Sequence, residues 1–361
     1  MRRSCLALLL LLPFITVVAQ DRTVLLAVHR AGPMEVLAPD TLQTLGTVEV
    51  PPLADSVASG SGGMIFLRAG LALDFKGCCA LYALNLETRS LTKLLSPVVA
   101  VVLSPDGKHV ITQRGNVGVE VFYARTLEQE PPIPRSIAPG MYGSCFSPDG
   151  RLLFGASNFP APTLDVLDFS ERKLVGRFSL PEDITIRGAC VGSDYYLYGQ
   201  RKASAELWRL KADANEMAAP VSVKFADEAP ECDLHDQGFL GAGGRLFLFE
   251  LFGGKGDRRA RSCGQSVPGG VLLIDPQTGS IKAHLAPELH FAQLIPGPDS
   301  TELYGIDVRD TIWRSVGLVR LDAATGRVLA KRDLVPDVWS IGLATIPAEL
   351  VPHGVVEATR K

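Results

Sequence analysis

Along almost the whole chain, short runs of apolar or alternating apolar and polar residues are separated by turns rich in glycine, proline and aspartate. Alternation with period two marks a half-buried β-strand. Runs that are nearly all apolar, such as TVLLAVHR from Thr23, are expected of strands buried on both faces. Segments with helical periodicity long enough to cover a sheet are nearly absent, which excludes an α/β layout.

Two segments display the repeating unit most clearly. One is VVLSPDGKHVITQRGNVGVEVFYARTLE from Val101; the other is SCFSPDGRLLFGASNFPAPTLDVLDFSERKLVGRF from Ser144. Each runs from a short apolar strand through Ser-Pro-Asp-Gly into an alternating strand, a loop, another strand, a polar turn and a last strand. Proline pre-sets φ and glycine takes positive φ, so the tetrapeptide is a tight turn. Weaker copies of the turn and its strand begin at Gly60, Gly192, Gly241 and Gly297. A period of roughly 40–45 residues of short strands is that of a β-propeller. Innermost strands are predicted near Asp55, Val98, Met141, Ile186, His235 and Phe291, giving six four-stranded blades. The N-terminus then supplies three strands (TVLLAVHR, MEVLAPD, TLGTVEV) and the C-terminus one, VWSIGLATIP from Val338. Joined in one sheet they form a seventh blade and close the ring, which removes the edges of an open array. The prediction is therefore an all-β, seven-bladed β-propeller spanning 20–361 as a single domain.

The Ser-Pro-Asp-Gly repeats, followed by strands of the form x-Val-x-Asp-x-x-Thr-Gly, resemble the YVTN-type propellers. They are also similar to the wider quinoprotein-like group, which includes the heavy chain of amine dehydrogenases. The Tyr-Val-Thr-Asn tetrapeptide and a Trp-Asp signature are both missing, and blades two, five and six are degenerate. The resemblance implies the fold; propellers host many unrelated functions, so it transfers no catalytic residue.

The segment MRRSCLALLLLLPFITVVAQ changes the picture of the compartment. Arg2 and Arg3 precede an apolar stretch, and Val17 and Ala19 are small residues ahead of Gln20. This is the pattern of a secretory signal peptide covering 1–19, and it predicts a secreted or periplasmic protein. Without Arg2 and Arg3, 34 basic residues face 39 acidic ones. That balance argues against general binding to nucleic acid or anionic membrane.

Aligning the blades on their turns places one residue per blade at the same depth, where each inner strand starts: Asp55, Val99, Tyr142, Arg187, Asp236, Ala292 and Trp339, with His235 and Phe291 directly before two of them. The candidate ligand-binding set at this channel mouth is Asp55, Tyr142, Arg187, His235, Asp236 and Trp339. Carboxylates, a guanidinium, an imidazole and aromatics around one opening suit a small polar ligand or a partner's side chain. No catalytic constellation is recognised. No histidine pair has metal-ligand spacing, and neither a metal nor another cofactor is predicted. Lys255, Arg258, Arg259 and Arg261 make the long insertion of blade six basic, a candidate docking loop for an acidic partner.

Six cysteines follow the leader. Cys232 and Cys263 are predicted to staple the blade-six insertion, and Cys78 and Cys79 to form an adjacent-residue ring. Cys145 and Cys190 hold matched positions on neighbouring inner strands and are expected to be small buried thiols, a bridge between blades being the alternative. The resulting functional expectation is an exported binding or interaction module, without enzymatic activity, for an unidentified ligand or protein partner. The alternatives are the propeller subunit of an amine-dehydrogenase-like oxidoreductase, or a lactonase-like hydrolase built on Arg187, Asp236 and His235.

Overall fold

The computed structural model describes residues 21–360 except 53, 71–78, 115–117, 141, 158–160, 182–184, 202–203, 212–220, 225–236, 251–268, 309–314, 334–337 and 357–358. The chain begins with β1 (Asp21–His29), β2 (Met34–Leu37) and β3 (Thr44–Val48), which belong to blade 1. Blade 2 comprises β4 (Ala54–Ser59), β5 (Met64–Ala69), β6 (Ala80–Asn85) and β7 (Ser90–Leu95). Blade 3 comprises β8 (Ala100–Leu103), β9 (His109–Arg114), β10 (Gly118–Tyr123) and β11 (Ile133–Pro134). Blade 4 comprises β12 (Tyr142–Phe146), β13 (Leu152–Ser157), β14 (Thr163–Asp168) and β15 (Lys173–Ser179). Blade 5 comprises β16 (Thr185–Val191), β17 (Asp194–Arg201), β18 (Ser204–Leu210) and β19 (Val221–Lys224). Blade 6 comprises β20 (Gln237–Ala242), β21 (Arg245–Glu250), β22 (Val271–Ile274) and β23 (Ile281–Leu285). Blade 7 comprises β24 (Phe291–Pro296), β25 (Glu302–Val308), β26 (Ser315–Asp322) and β27 (Val328–Asp333). The last long strand, β28 (Val338–Pro347), is the inner strand of blade 1 and pairs antiparallel with β1, Thr23 opposite Thr345 and Val28 opposite Ser340. The ring closes as the sequence predicts.

The near-continuous apolar runs follow from this layout. Seven apolar clusters occur among the described residues, one at each junction between neighbouring blades. In β1, Val24, Leu26 and Val28 face blade 2, while Leu25 and Ala27 face blade 7. Successive residues of a strand point to opposite faces, so a sheet packed on both sides needs apolar residues at both sets of positions. Fully burying each such Leu or Val contributes about 1.5–3 kcal/mol.

The Ser-Pro-Asp-Gly turns are locally built. Asp106 Oδ1 accepts the Ser104 hydroxyl at 2.6 Å and the Lys108 N–H at 3.0 Å, and Gly107 takes φ of 67°. Ser147, Asp149 and Gly150 repeat the arrangement at the start of β13, with φ of 73° at Gly150. These turns and the outer turns share one face of the disc, the turn face. The remaining connections share the other, the mouth face.

The tail beyond β28 was not foreseen from the sequence. After a 3-10 turn (Ala348–Leu350), β29 (Gly354–Val356) adds to β3 and β30 (Thr359–Arg360) adds to β7, both in parallel. The tail thus covers the outer edges of blades 1 and 2. It lies so close to Gly46 that a Cβ there would come within 2.4 Å of the Pro352 carbonyl oxygen, which requires glycine at this position.

Candidate functional site

The column picked out by the turn spacing coincides with a structural irregularity. In β4, Ala54 pairs with Ala69 and Ser56 with Arg68, so Asp55 is an extra residue, a β-bulge. In β24, Phe291 pairs with Asp307 and Gln293 with Ile306, leaving Ala292 as the extra residue. In β28, Val338 pairs with His29 and Ser340 with Val28, leaving Trp339. In β12 the register slips directly after Tyr142. Val99 sits just before β8 and donates its N–H to the Gln113 carbonyl, the same oxygen-bearing residue that pairs with Ala100. Bulges end pairing and re-aim a side chain. Here they recur at the start of the inner strand, on the mouth face.

Arg187 departs from the pattern: it lies within regular pairing, opposite Tyr198. It is half-buried, as are Trp339 and Ala292, whereas Val99 is exposed. For Asp55 and Tyr142 the backbone alone is described. His235 and Asp236 lie outside the described residues, as do Lys255, Arg258, Arg259 and Arg261. Phe291 does not line the opening; it is buried in the core between blades 6 and 7, edge-on to Phe249.

Sequence reasoning missed Arg30. It starts the loop between β1 and β2 on the mouth face, and its guanidinium carbon lies 5.2 Å from the centre of the Trp339 ring. A cation over an aromatic face contributes about 0.5–1 kcal/mol at an exposed site. Nothing in the spacing of Arg30 and Trp339, at opposite ends of the chain, signals this contact.

The cysteines require a correction. Cys145 and Cys190 are not buried thiols; they form a disulfide between β12 and β16, with Cα atoms 6.1 Å apart. The inner strands of blades 4 and 5 approach closely enough for this because Gly143, at φ of 62°, lies against Gly188; a Cβ on Gly143 would come 2.2 Å from the Gly188 carbonyl oxygen. The buried Tyr195 hydroxyl donates to the Gly143 carbonyl at 3.2 Å. Burial pushes its ionisation far above the ordinary tyrosine range, which keeps it a donor. Cys79 is also disulfide-bonded, to a partner outside the described residues. Cys78, Cys232 and Cys263 lie outside them too.

Buried and half-buried acids tie the outer strands of several blades together. Glu35, Glu120 and Asp165 occur in the third strands of blades 1, 3 and 4, each in the order apolar, acid, valine: MEV, VEV and LDV. That recurring triplet was the available signal. Asp165 binds Arg177 at 2.6 Å, and Glu120 accepts from the Gln129 amide. Glu35 is bonded by His29 at 2.9 Å, Thr44 at 2.6 Å and Arg332 at 2.9 Å. These contacts, the His29 hydrogen bond foremost, hold its carboxyl at about 2 against the opposing effect of burial. In blade 7 the almost fully buried Asp307 pairs with Lys331 at 3.0 Å and accepts the His290 N–H at 3.4 Å, fixing the start of β24. A buried carboxylate left unpaired costs several kcal/mol, so the buried Glu120, Asp165 and Asp307 need these partners.

The fold and the position of its opening define a seven-bladed β-propeller. No family model matches the sequence, and no curated protein matches it. Many solved structures do match. A 6-phosphogluconolactonase-like protein from Bacteroides fragilis NCTC 9343 is 13% identical with a TM-score of 0.55, over 90% of this chain and 98% of that one. The tricorn protease is 12% identical with a TM-score of 0.54, over 89% of this chain but 35% of its own. Dihydro-heme d1 dehydrogenase NirN, in complex with DHE, is 11% identical with a TM-score of 0.51, over 91% and 76%. At such identities the likeness shows the fold alone.

Proposed function

We propose that the protein is an exported β-propeller binding module that recognises a small polar ligand, or a polar side chain of a protein partner, at the mouth of its channel. The observation that carries this reading is the recurrence of the β-bulge at one depth of the inner strands, with Asp55 and Trp339 as bulge residues and Tyr142 at a register slip. Bulges cost ladder hydrogen bonds and recur where a side chain must be re-aimed. Trp339 and Arg30 add an aromatic face and a cation at the same end. The leader pattern of 1–19 supports export, and the Cys145–Cys190 disulfide is compatible with an oxidising compartment.

The test is native mass spectrometry of the protein isolated from its own extracytoplasmic fraction, alongside Arg187→Ala and Trp339→Ala. Both variants are expected to lose the co-purifying molecule while their thermal midpoints stay within about 4 °C of the parent. Retention of the molecule by both variants would retire the proposal. The repeat resemblance keeps one second reading in view, a propeller subunit of a quinoprotein-type oxidoreductase. A co-purifying light chain or quinone absorbance would favour it.

A further inference from the structure

A second recess lies on the turn face, at the other end of the disc from the channel mouth. It is a cleft of about 250 Å³ between the outer turn of blade 2 and the C-terminal tail, lined by Leu86, Glu87, Arg89, Glu349, Leu350, Val351, Pro352 and His353. We propose that this cleft binds a free aliphatic α-amino acid as its zwitterion.

The lining divides into two chemical parts. Leu86, Val351 and Pro352 are buried and Leu350 is half-buried, forming an apolar floor. Glu87, Arg89, Glu349 and His353 are exposed and form a rim. A ligand that satisfies both parts carries an aliphatic group together with separated positive and negative charges. Arg89 suits a carboxylate, for which the planar guanidinium offers paired donors. Glu87 and Glu349 suit an ammonium group. The volume lies below the ~300–1,000 Å³ typical of drug-sized sites, which limits the ligand to about one residue.

The walls are held in place without a ligand. Asn85 Oδ1 accepts the Thr88 N–H at 3.0 Å, and the Thr88 and Ser90 hydroxyls are 2.8 Å apart. Arg89 itself sits at φ of 54°, a left-handed backbone conformation within this turn. Leu86 N–H donates to the Gly63 carbonyl at 3.1 Å. Leu350 rests on the same Gly63, where a Cβ would come 2.8 Å from Leu350 Cδ1. Turn and tail are therefore docked on one common point, and a pre-formed site spends less of its binding free energy on ordering.

The experiment uses the full mature chain and titrates it calorimetrically with L-leucine, L-leucinamide and 4-methylpentanoate. L-Leucine is expected to bind in the micromolar to millimolar range, and the two analogues, lacking one charge each, at least about tenfold more weakly. Arg89→Ala and the double variant Glu87→Gln/Glu349→Gln, all at exposed positions, are expected to weaken L-leucine binding by a similar factor with unchanged circular dichroism. Arg187→Ala, at the other face, leaves it unchanged, which separates this site from the channel mouth. Absence of L-leucine binding at millimolar concentration would overturn the proposal, as would binding that Arg89→Ala does not alter.

Discussion

The side-chain amide of Gln293 exchanges two hydrogen bonds with the backbone of Ile341: its Nε2 donates to the Ile341 carbonyl at 3.1 Å, and its Oε1 accepts the Ile341 N–H at 2.8 Å. Gln293 stands in β24 of blade 7 and Ile341 in β28 of blade 1. The amide thus acts as a substitute β-ladder between the two inner strands. Further out along the same junction, Arg320 donates to the Asp40 carbonyl at 2.9 Å, and Arg332 to the Leu42 carbonyl at 3.2 Å. The junction stitched by these three residues is the one between the last blade of the chain and the blade that closes the ring.

Replacing Gln293 by Leu leaves the Ile341 N–H and C=O without these partners. The expected cost is about 1–3 kcal/mol for each group that stays buried and unsatisfied. Equilibrium urea unfolding measures it, and a midpoint equal to that of the parent would contradict the clamp.

The bridge between Cys145 and Cys190 closes a separation of 45 residues. In the chain-entropy view such a loop contributes up to about 4 kcal/mol. The double variant Cys145→Ala/Cys190→Ala should lose stability of this order, and chemical reduction of the parent, which also opens the Cys79 bridge, should lower its stability at least as much. Intact-mass and peptide mapping without reductant should recover the two cysteines joined; two free thiols at these positions would refute the bridge.

Glu35 predicts a pH effect of definite sign. Its folded pKa, about 2, lies below the ordinary value of 4.5. A carboxylate with a depressed folded pKa contributes its stability in full above the unfolded pKa and loses it as the pH falls from about 4.5 towards 2. One pKa unit corresponds to about 1.4 kcal/mol, so the contribution amounts to about 3 kcal/mol at most. Glu35→Gln should be less stable than the parent at pH 7, and the gap should narrow on acidification across that window. A gap that stays constant from neutral pH to pH 2 would exclude the role.

Removal of residues 354–361 takes away β29 and β30 while leaving β28 in place. The ring should persist, because closure rests on the pairing of β1 with β28. Hydrogen exchange should accelerate at the outer edges of blades 1 and 2, in Gly46–Val48 and Ser90–Leu91, which pair with the tail. Removal of 338–361 should instead abolish cooperative folding, since it opens the ring and exposes the apolar junctions on both sides of blade 1.

Much of the architecture is legible because it is local. The turn at Ser104 to Gly107 is specified by its own four residues, and the period of the strands by alternation between neighbours two apart. The start and end of β28 follow from VWSIGLATIP itself, and the three N-terminal strands lacking an inner partner state where that strand belongs. The depth of the mouth column follows as well, since Asp55 and Gly60, Val99 and Ser104, and Ala292 and Gly297 are each five positions apart. The bulges at those positions are a different matter. A bulge depends on the partner strand having one residue fewer, and no single strand records that.

The sequence by itself determined a ring of small sheets, the number of those sheets, and the way the two ends of the chain complete one of them. These properties depend on contacts between residues near in the chain, or on the demand that every edge find a partner. Only the tertiary structure decided that Cys145 meets Cys190, that Arg30 covers Trp339, that Gln293 clamps Ile341 and that the tail runs on to blades 1 and 2. Each of those relationships joins side chains or edges from different parts of the chain. Their distances are set by how closely whole sheets pack around the axis, a quantity carried by the volumes of all the residues between them rather than by any one motif.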